Sequence, residues 1–257
     1  MATTGTLRSV QNAVRVLKSF STTEREWGVT ELSRKLDLGK STTHRLLATL
    51  VDEGMLEQNA ETGRYRLGLA VFDLAAAVPT QFDLHDAVLP PMTALRSLLG
   101  GTVQVGVLDG REVVYIERLD SPDTSRVFQQ VGRRNWAHCS ATGKVLLASL
   151  PPTDLARTLS GWDPVERTAR TITDIGLLRI ELAEVRRRGY ATNDGEAEPG
   201  VVSVAAPIRE RSTRTIAALS FAGPMTRVDA TDHRLIHEVR ETAAQVSRRL
   251  GYRAEAV

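Results

Sequence analysis

Residues 30–54 have the sequence TELSRKLDLGKSTTHRLLATLVDEG, and this stretch decides the fold of the N-terminal part of the chain. Apolar residues recur in it at helical spacing on both sides of Gly39, in the groups Leu32 and Leu36, then Leu46, Leu47 and Leu50. This spacing is typical of two short amphipathic helices. Two such helices joined by a glycine-containing turn form a helix-turn-helix.

The boundaries of these two helices follow from their polar residues. Thr30 is predicted to cap the first helix, because a threonine hydroxyl accepts a hydrogen bond from a free backbone N–H of the first turn. Asp37, Leu38 and Gly39 are predicted to form a tight turn, with Gly39 supplying the permissive backbone. Ser41 is predicted to open the second helix, which ends near Gly54.

The segments on either side complete a winged domain. Before the helix pair, residues 9–20 carry Val10, Ala13, Val14 and Leu17 on one helical face. After it, MLEQ and RYRLG alternate apolar and polar residues around the turn NAETG, which predicts a β-hairpin. This order of elements predicts a winged helix-turn-helix.

The remainder of the chain has a mixed pattern. Helices are predicted at residues 68–79, 83–99 with a kink at Pro90-Pro91, 142–150, 174–188 and 229–250. Strands are predicted on both sides of the hairpin turn Asp109-Gly110, and at residues 191–192, 201–208 and 215–221. Hairpins and separate helices indicate an α+β fold with a largely antiparallel sheet and flanking helices.

We therefore expect a DNA-binding domain at residues 1–67, a helical linker at 68–82 and a larger domain at 83–257.

The composition narrows the class of protein. The 257 residues carry a net charge of +2 and one cysteine, Cys139. One cysteine excludes an internal disulfide and argues against a cysteine metal site, so we expect no cofactor. Residues 1–10 lack the pattern of a signal peptide, and no apolar run approaches the ~20 residues of a membrane span. We expect a cytoplasmic protein with no membrane partner.

Basic and small polar residues gather in the helix-turn-helix. A run of basic residues alone more often indicates a solvated surface. Here the run coincides with a helix whose small polar N-terminal residues would allow close approach to the major groove, and the hairpin offers Arg64 beside the flanking backbone. We expect double-stranded DNA to contact Thr30, Arg34, Lys40, Ser41, Thr42, Thr43, His44, Arg45 and Arg64.

Two other functions are open to this sequence. A hydrolase-like enzyme could use Cys139, but adjacent residues of an extended segment point to opposite sides, so His138 could not readily activate it. The sequence has no P-loop and no GxSxG or HExxH motif. A protein-interaction module could use the amphipathic final helix. We expect no enzyme activity.

Several blocks of sequence resemble the IclR type of bacterial transcription regulator. They are SVQNAVRVLKSF, VTELSRKLDLGKSTTHRLLATLVDEGMLEQ and GRYRLG, then TVQVGVLDGREVVYIER, AHCSATGKVLLA, RRRGYATNDGE and EPGVVSVAAPI. The resemblance implies a GAF-like effector domain, and a homodimer or dimer of dimers on a palindromic operator. It also implies a small organic-acid effector and regulation, most often repression, of a catabolic operon.

The resemblance also implies an effector site. Ala141 and Thr142 match residues whose backbone amides contact the ligand, and a helix N-terminus there suits a carboxylate. Polar pocket positions correspond to Asn193, Ser203 and Ser220. Positions that wall the pocket correspond to Thr124, Val127, Asn135 and Val201.

Three positions depart from the family's pattern. Asn193 stands where members commonly carry aspartate, Asn135 where leucine is typical, and Ala222 where a second serine can occur. Our hypothesis is that losing the carboxylate at position 193 makes the pocket more tolerant of an anion. The amide of Asn135 would disfavour a purely aliphatic ligand.

Overall fold

A computed structural model describes residues 6–21, 24–76, 82–121 and 132–253 of the chain. The chain separates into two compact units, Met1–Phe82 and Asp83–Val257. Each unit has its own hydrophobic core, so each is described separately.

The first unit is a winged helix-turn-helix, as the sequence predicts. Its elements are α1 (Arg8–Leu17), α2 (Val29–Leu36), α3 (Lys40–Asp52), β1 (Leu56–Gln58), β2 (Tyr65–Leu67) and α4 (Ala70–Ala76). The hairpin strands pair antiparallel, and Trp27 forms an additional bridge to Tyr65. This bridge attaches the wing to the residues that precede α2.

The predicted details of the helix-turn-helix need three corrections. Gly28, not Thr30, is the N-cap of α2, and its backbone N–H donates to Glu31 Oε2 at 3.0 Å. Asp37 adopts the left-handed conformation with φ of 54°, while Gly39 has an ordinary φ of −59°. Helix α3 begins one residue before Ser41. An aspartate tolerates the left-handed region well enough to take the role predicted for glycine.

The four apolar residues predicted on one face of α1 divide between core and surface, and Ala13 and Leu17 pack against the core. The helix buries Asn12 and Val16, and it leaves Val10 and Val14 exposed. The core of this unit consists of Val16, Leu32, Leu36, Leu47, Leu50, Leu56 and Tyr65. The apolar spacing is helical, but two apolar stripes compete on one helix and tertiary packing selects between them.

The second unit is an α+β domain around one antiparallel sheet. Its helices are α5 (Phe82–Leu99), α6 (Ala141–Ala148), α7 (Pro152–Leu159), α8 (Ile175–Arg188) and α9 (His233–Arg249). Its strands are β3 (Thr102–Asp109), β4 (Glu112–Leu119), β5 (Arg134–Trp136), β6 (Ala191–Asp194), β7 (Val201–Arg209) and β8 (Thr215–Pro224). The six strands have the spatial order β5-β4-β3-β8-β7-β6, with antiparallel neighbours.

Two helices of this unit contain proline, and only one of them, α7, is absent from the predicted elements. Pro152 begins the unpredicted helix α7, where its fixed φ suits the first helical turn and its missing N–H costs nothing. Helix α5 runs from Phe82 to Leu99 with Pro90 and Pro91 inside it. The predicted hairpin at Gly110 is confirmed, with φ of 62° at that glycine.

The two faces of the sheet carry different layers. One face packs against α5 and α9, where the core includes Val88, Met92, Val105, Leu219, Val239 and Val246. The other face packs against α6, with α7 and α8 outside it, where the core includes Tyr115, Val145, Leu147, Leu178, Leu182 and Ala205. Alternation along each strand sends its side chains to both layers, as a sheet buried on both faces requires.

Helix α6 is buried along its whole length because its first turn approaches the preceding segment very closely. A Cβ added at Gly143 would lie 2.3 Å from both the Cα and the carbonyl oxygen of Ala137. These are backbone atoms that cannot rotate away. The position therefore requires glycine for steric reasons.

We predict that Gly143→Ala lowers the free energy of unfolding of the second unit by about 1–3 kcal/mol or more, because overpacking must displace backbone. Ser149→Ala, at the exposed end of the same helix, loses only the hydrogen bond to the Val145 carbonyl and serves as the control. Thermal and urea unfolding of both variants check this. Equal stability of Gly143→Ala and the wild type would contradict the packing described.

Candidate functional site

The first candidate site is the outer surface of α2 and α3. Most of the side chains predicted to contact DNA are exposed there, namely Thr30, Arg34, Lys40, Ser41, Thr42, His44 and Arg45. Lys40 and Arg45 form no ion pair with any described residue. Their charges are therefore available to phosphate oxygens at the N-terminal end of the helix.

Thr43 belongs to the core, which corrects its prediction as a DNA contact. Its side chain is fully buried between the helices, and Oγ1 donates to the carbonyl oxygen of Gly39 at 3.1 Å. Its neighbours Thr42 and His44 project outward. Its methyl group therefore packs inside the domain while those two side chains remain available at the surface.

Arg64 fastens the wing to the start of α2. Its guanidinium donates to both carboxylate oxygens of Glu31, at 3.2 and 2.7 Å, and to the carbonyl of Glu26 at 3.1 Å. The N–H of Gly28, and after it Arg64, hold the pKa of Glu31 below its usual value. The other wing arginine, Arg66, pairs with Glu57 at 2.8 Å. Both wing arginines are therefore already engaged, unlike Lys40 and Arg45.

The second candidate site is a cavity of about 860 Å³ on the sheet face that carries α6, called here the sheet-face cavity. Residues from all six strands line it. Four residues of the predicted effector site are among them, namely Asn135, Asn193, Val201 and Ser203. The sequence reasoning missed the other lining residues, which include Gln104, Tyr115, Arg118, Arg133, Trp136 and Arg167.

The other residues predicted for the effector site lie around the cavity or outside the described part of the chain. Ala141 and Thr142 are buried in the first turn of α6, next to the lining residue Ser140. Ser220 is fully buried on β8, paired across the sheet with Gln104 and Ala205. Thr124 and Val127 fall outside the described residues.

Asn193 has a structural role at the edge of the cavity. Its Oδ1 accepts hydrogen bonds from the N–H groups of Glu196 and Ala197, at 2.7 and 3.3 Å. Its Nδ2 donates to Ser203 Oγ at 3.3 Å. The amide thus orders the turn after β6 and points an N–H, which an aspartate lacks, toward the neighbouring strand.

Neutral hydrogen-bonding groups continue across the sheet. The Tyr115 hydroxyl bonds with Thr142 and Asn135, yet burial raises the pKa of Tyr115. Ser220 Oγ is buried and has no hydrogen-bond partner among the described residues. An unpartnered buried hydroxyl costs free energy, but Ser220 is not among the residues that line the sheet-face cavity.

Four arginines line the sheet-face cavity, and two of them carry uncompensated charge. Arg134 pairs with Asp109 at 2.6 Å and Glu112 at 2.9 Å. Arg118 pairs with Asp120 at 2.7 Å. Arg133 and Arg167 are exposed and form no ion pair with the described residues. The electrostatics of the cavity therefore favour an anion.

A buried ion pair holds one wall of the cavity. Lys144 Nζ on α6 lies 2.7 Å from Glu196 Oε1 and 3.5 Å from Glu181 Oε1. Burial raises the pKa of Glu196, and the charge of Lys144 opposes that shift. Thr168 and Thr171 donate to the Glu196 carbonyl at 3.3 and 2.7 Å. These contacts fix the turn that carries the lining residues 197–199.

Cys139 is not placed for catalysis. Burial, followed by the charge of Glu196, raises the pKa of Cys139 to about 11. His138 Nε2 donates to the carbonyl of Val165 at 2.9 Å, and burial lowers the pKa of His138.

In the described part of the chain there is no cluster of three His, Cys, Asp or Glu residues that could hold a metal ion. Nor does any helix described there have the length and apolarity to cross a membrane.

A winged helix-turn-helix with free cations on its second helix, next in sequence to a domain with an anion-attracting cavity, defines a ligand-responsive DNA-binding transcription regulator. Residues 9–60 match the IclR helix-turn-helix domain, and residues 76–248 match the family described as Bacterial transcriptional regulator IclR C-terminal. The chain belongs to the IclR family of transcriptional regulators.

Known relatives agree in length and architecture. The chain is 35% identical to the HTH-type transcriptional regulator XynR of Escherichia coli, over 96% of this chain and 99% of the relative. It is 34% identical to the regulator KdgR of Escherichia coli, over 89% of this chain and 88% of the relative. An IclR homolog from Microbacterium hydrocarbonoxydans, complexed with 4-hydroxybenzoate, superposes with a TM-score of 0.83 at 29% identity, over 95% and 99% of the two chains. These relatives confirm the family, the α+β architecture and the prediction that the chain is a regulator rather than an enzyme.

We predict that Arg45→Gln weakens DNA binding and reduces the slope of log Kobs against log salt by about one, because one phosphate contact is lost. Arg66→Gln is the matched control on the wing, because Glu57 already neutralises Arg66. Fluorescence anisotropy with duplex DNA between low and moderate salt measures both slopes. Equal losses of DNA affinity and of salt slope in the two variants would contradict the assignment of Arg45 as a phosphate contact.

We predict that Cys139 does not react with iodoacetamide in the folded protein at pH 8, because the thiol is fully buried and its pKa lies near 11. Labelling should become complete in urea. Mass spectrometry of both samples checks this. Stoichiometric alkylation of the folded protein would restore Cys139 as a candidate nucleophile.

Proposed function

We propose that this protein is a sequence-specific repressor of a catabolic operon, controlled by a small carboxylic acid bound in the sheet-face cavity. The observation that carries the proposal is the pair of arginines, Arg133 and Arg167, that line the cavity without an ion pair among the described residues. A carboxylate would supply the missing counter-charge. The repressor AllR and the glycerol operon regulatory proteins are similar to this chain at 30–32% identity.

For DNA recognition we propose a division of labour on α3. Lys40, Arg45 and the small hydroxyls of Ser41 and Thr42 hold phosphates at its N-terminal end, and His44 reaches base edges. Thr30 and Arg34 of α2 contact the backbone beside the groove. Arg64 keeps the wing at a fixed angle to α2 and so acts through position.

The proposed assembly is a cytoplasmic homodimer or dimer of dimers on a palindromic operator. One winged domain contacts few base pairs, so two copies on successive half-sites supply the specificity. Exposed apolar side chains support self-association, with Leu7 71%, Leu69 72% and Phe72 74% exposed in the single chain. The proposed domains are residues 1–67, the linker 68–82 and the effector domain 83–257.

Selection of genomic DNA fragments bound by the purified protein tests the proposed function. We expect enrichment of a palindromic sequence beside genes of carbon-source catabolism. Carboxylic acids are then added one at a time to the protein bound to that DNA fragment. At least one acid should change the affinity of the protein for the DNA. Enrichment of no specific sequence would refute the proposed function.

We predict that Asn193→Asp weakens binding of the acid by about tenfold. The new carboxylate at the edge of the sheet-face cavity would repel the carboxylate of the acid. An aspartate oxygen can accept the same two hydrogen bonds from the N–H groups of Glu196 and Ala197, so the turn should still fold. Asp194→Asn, next to it but paired outward with Arg170, is the control. Equal or tighter binding by Asn193→Asp would refute the role of Asn193.

A further inference from the structure

The hydrogen-bonding groups inside the sheet-face cavity have a surplus of donors. Gln104 Oε1 accepts from Arg118 at 3.1 Å, which leaves the Gln104 Nε2 hydrogens without an acceptor among the described residues. Ser203 Oγ accepts a hydrogen bond from Asn193, and the hydroxyl hydrogen of Ser203 also has no acceptor among the described residues. Both residues line the cavity. A ligand that covers these donors must offer acceptors in place of water, so these groups favour a ligand rich in oxygen atoms.

These neutral donors belong to a polar strip that Ala222 interrupts. Thr102 and Ser203 both pair with Ala222, and Ser203 pairs with Asn193 on its other side. Two residues along β3 from Thr102, Gln104 pairs with Arg118. The strip therefore runs along the floor of the cavity over several strands, and its length suits a ligand with hydroxyl groups on consecutive carbon atoms.

The two unpaired arginines of the cavity lie outside the strands that carry this strip. Arg167 belongs to the segment between α7 and α8, and its charge acts on Cys139. Arg133 precedes β5, and its charge acts on Tyr115. A guanidinium binds a carboxylate through two parallel hydrogen bonds. The acid group of the ligand therefore belongs at the arginines, and the rest of the ligand lies over the neutral strip.

An apolar ligand fits this lining poorly. The apolar lining consists of the rings of Trp136 and Tyr115 and of smaller or cyclic side chains, namely Ala197, Pro199, Val201, Ala222 and Pro224. An alkyl chain or a benzene ring over the strip would leave the donors of Gln104 and Ser203 unpaired. Each polar group covered without a partner costs free energy, which reduces the gain from apolar burial.

Resting on the proposed function, we infer that the effector is a polyhydroxylated carboxylate, with its acid group held by Arg133 and Arg167 and its hydroxyls bonded to Gln104, Ser203 and Asn193. The many hydroxyl oxygens supply acceptors for the surplus donors. Their own hydrogens have an acceptor in the carboxylate of Glu198, which also lines the cavity.

Matched acids test this inference on the full-length protein. The panel pairs C4–C6 aldonates and aldarates of varied stereochemistry, including D-gluconate and D-glucarate, with hexanoate, adipate and 4-hydroxybenzoate. At about ten times its Kd, a bound acid should raise the unfolding temperature by about 3–6 °C. We expect such a shift from at least one polyhydroxylated acid, and none from the acids without a hydroxylated chain. Equal or larger shifts from hexanoate, adipate or 4-hydroxybenzoate, or no shift from any polyhydroxylated acid, would overturn the inference.

Two variants separate the roles of charge and hydroxyl recognition. With the best-binding polyhydroxylated acid, Arg167→Gln should weaken binding about tenfold, and Ser203→Ala about three- to tenfold. Arg157→Gln is the control, since Arg157 pairs with Asp154 on α7 away from the cavity. Calorimetric titration gives the Kd of each variant. Unchanged affinity in both Arg167→Gln and Ser203→Ala would place the acid elsewhere and overturn the inference.

The failure of this inference differs from the failure of the proposed function. If 4-hydroxybenzoate, and no polyhydroxylated acid, changes the affinity for the selected DNA, the protein is still an acid-controlled regulator and only the ligand class is wrong. If the protein selects no specific DNA sequence, the proposed function fails whatever the acids do to the unfolding temperature.

Discussion

The ion pair between Lys144 and Glu196 is the interaction on which the effector domain depends. Lys144 is 2% exposed, and Glu196 lies on the turn whose next residues line the sheet-face cavity. Removing one member of such a pair leaves a buried charge, which typically costs about 3–5 kcal/mol. The same helix can lie directly against Ala137 because Gly143 has no side chain. Together these contacts fix the first turn of α6 and the turn after β6 against each other at one wall of the cavity.

The DNA-binding unit separates its charges in a comparable way. Arg64 and Glu31 form a bidentate contact that joins the wing to α2, so the scaffold uses one cation internally. Lys40 and Arg45 stay unpaired among the described residues and face outward. In the effector domain, Arg118 and Arg134 are paired while Arg133 and Arg167 are not. In both units, then, paired charges stabilise the structure and unpaired charges mark the surfaces that attract an anion.

Much of the fold could be predicted from sequence, because local signals set it. The helix pair, the wing and the hairpin at Gly110 each carry their own turn residues and periodicity. The burial of Thr43 did have a local signal, because Thr43 shares a helical face with the apolar residues Leu46 and Leu50. Its position between the helices, which excludes a DNA contact, depends on tertiary packing. Only part of the cavity lining could be predicted, since it comes from six strands and several connecting segments, and residues such as Arg167 have no local signal. Gln104 did have one, as a polar residue between the core residues Val103 and Val105.

The central claim is that one acid in the sheet-face cavity and the operator on α3 influence each other's affinity. Linkage requires the factor by which the acid changes operator affinity to equal the factor by which the operator changes acid affinity. Calorimetric titration of the tightest-binding acid of the panel, with the protein alone and saturated with operator DNA, measures this directly. We predict that the two acid affinities differ by about 5–150-fold, matching the change in operator affinity. Equal acid affinities in the two titrations would contradict it.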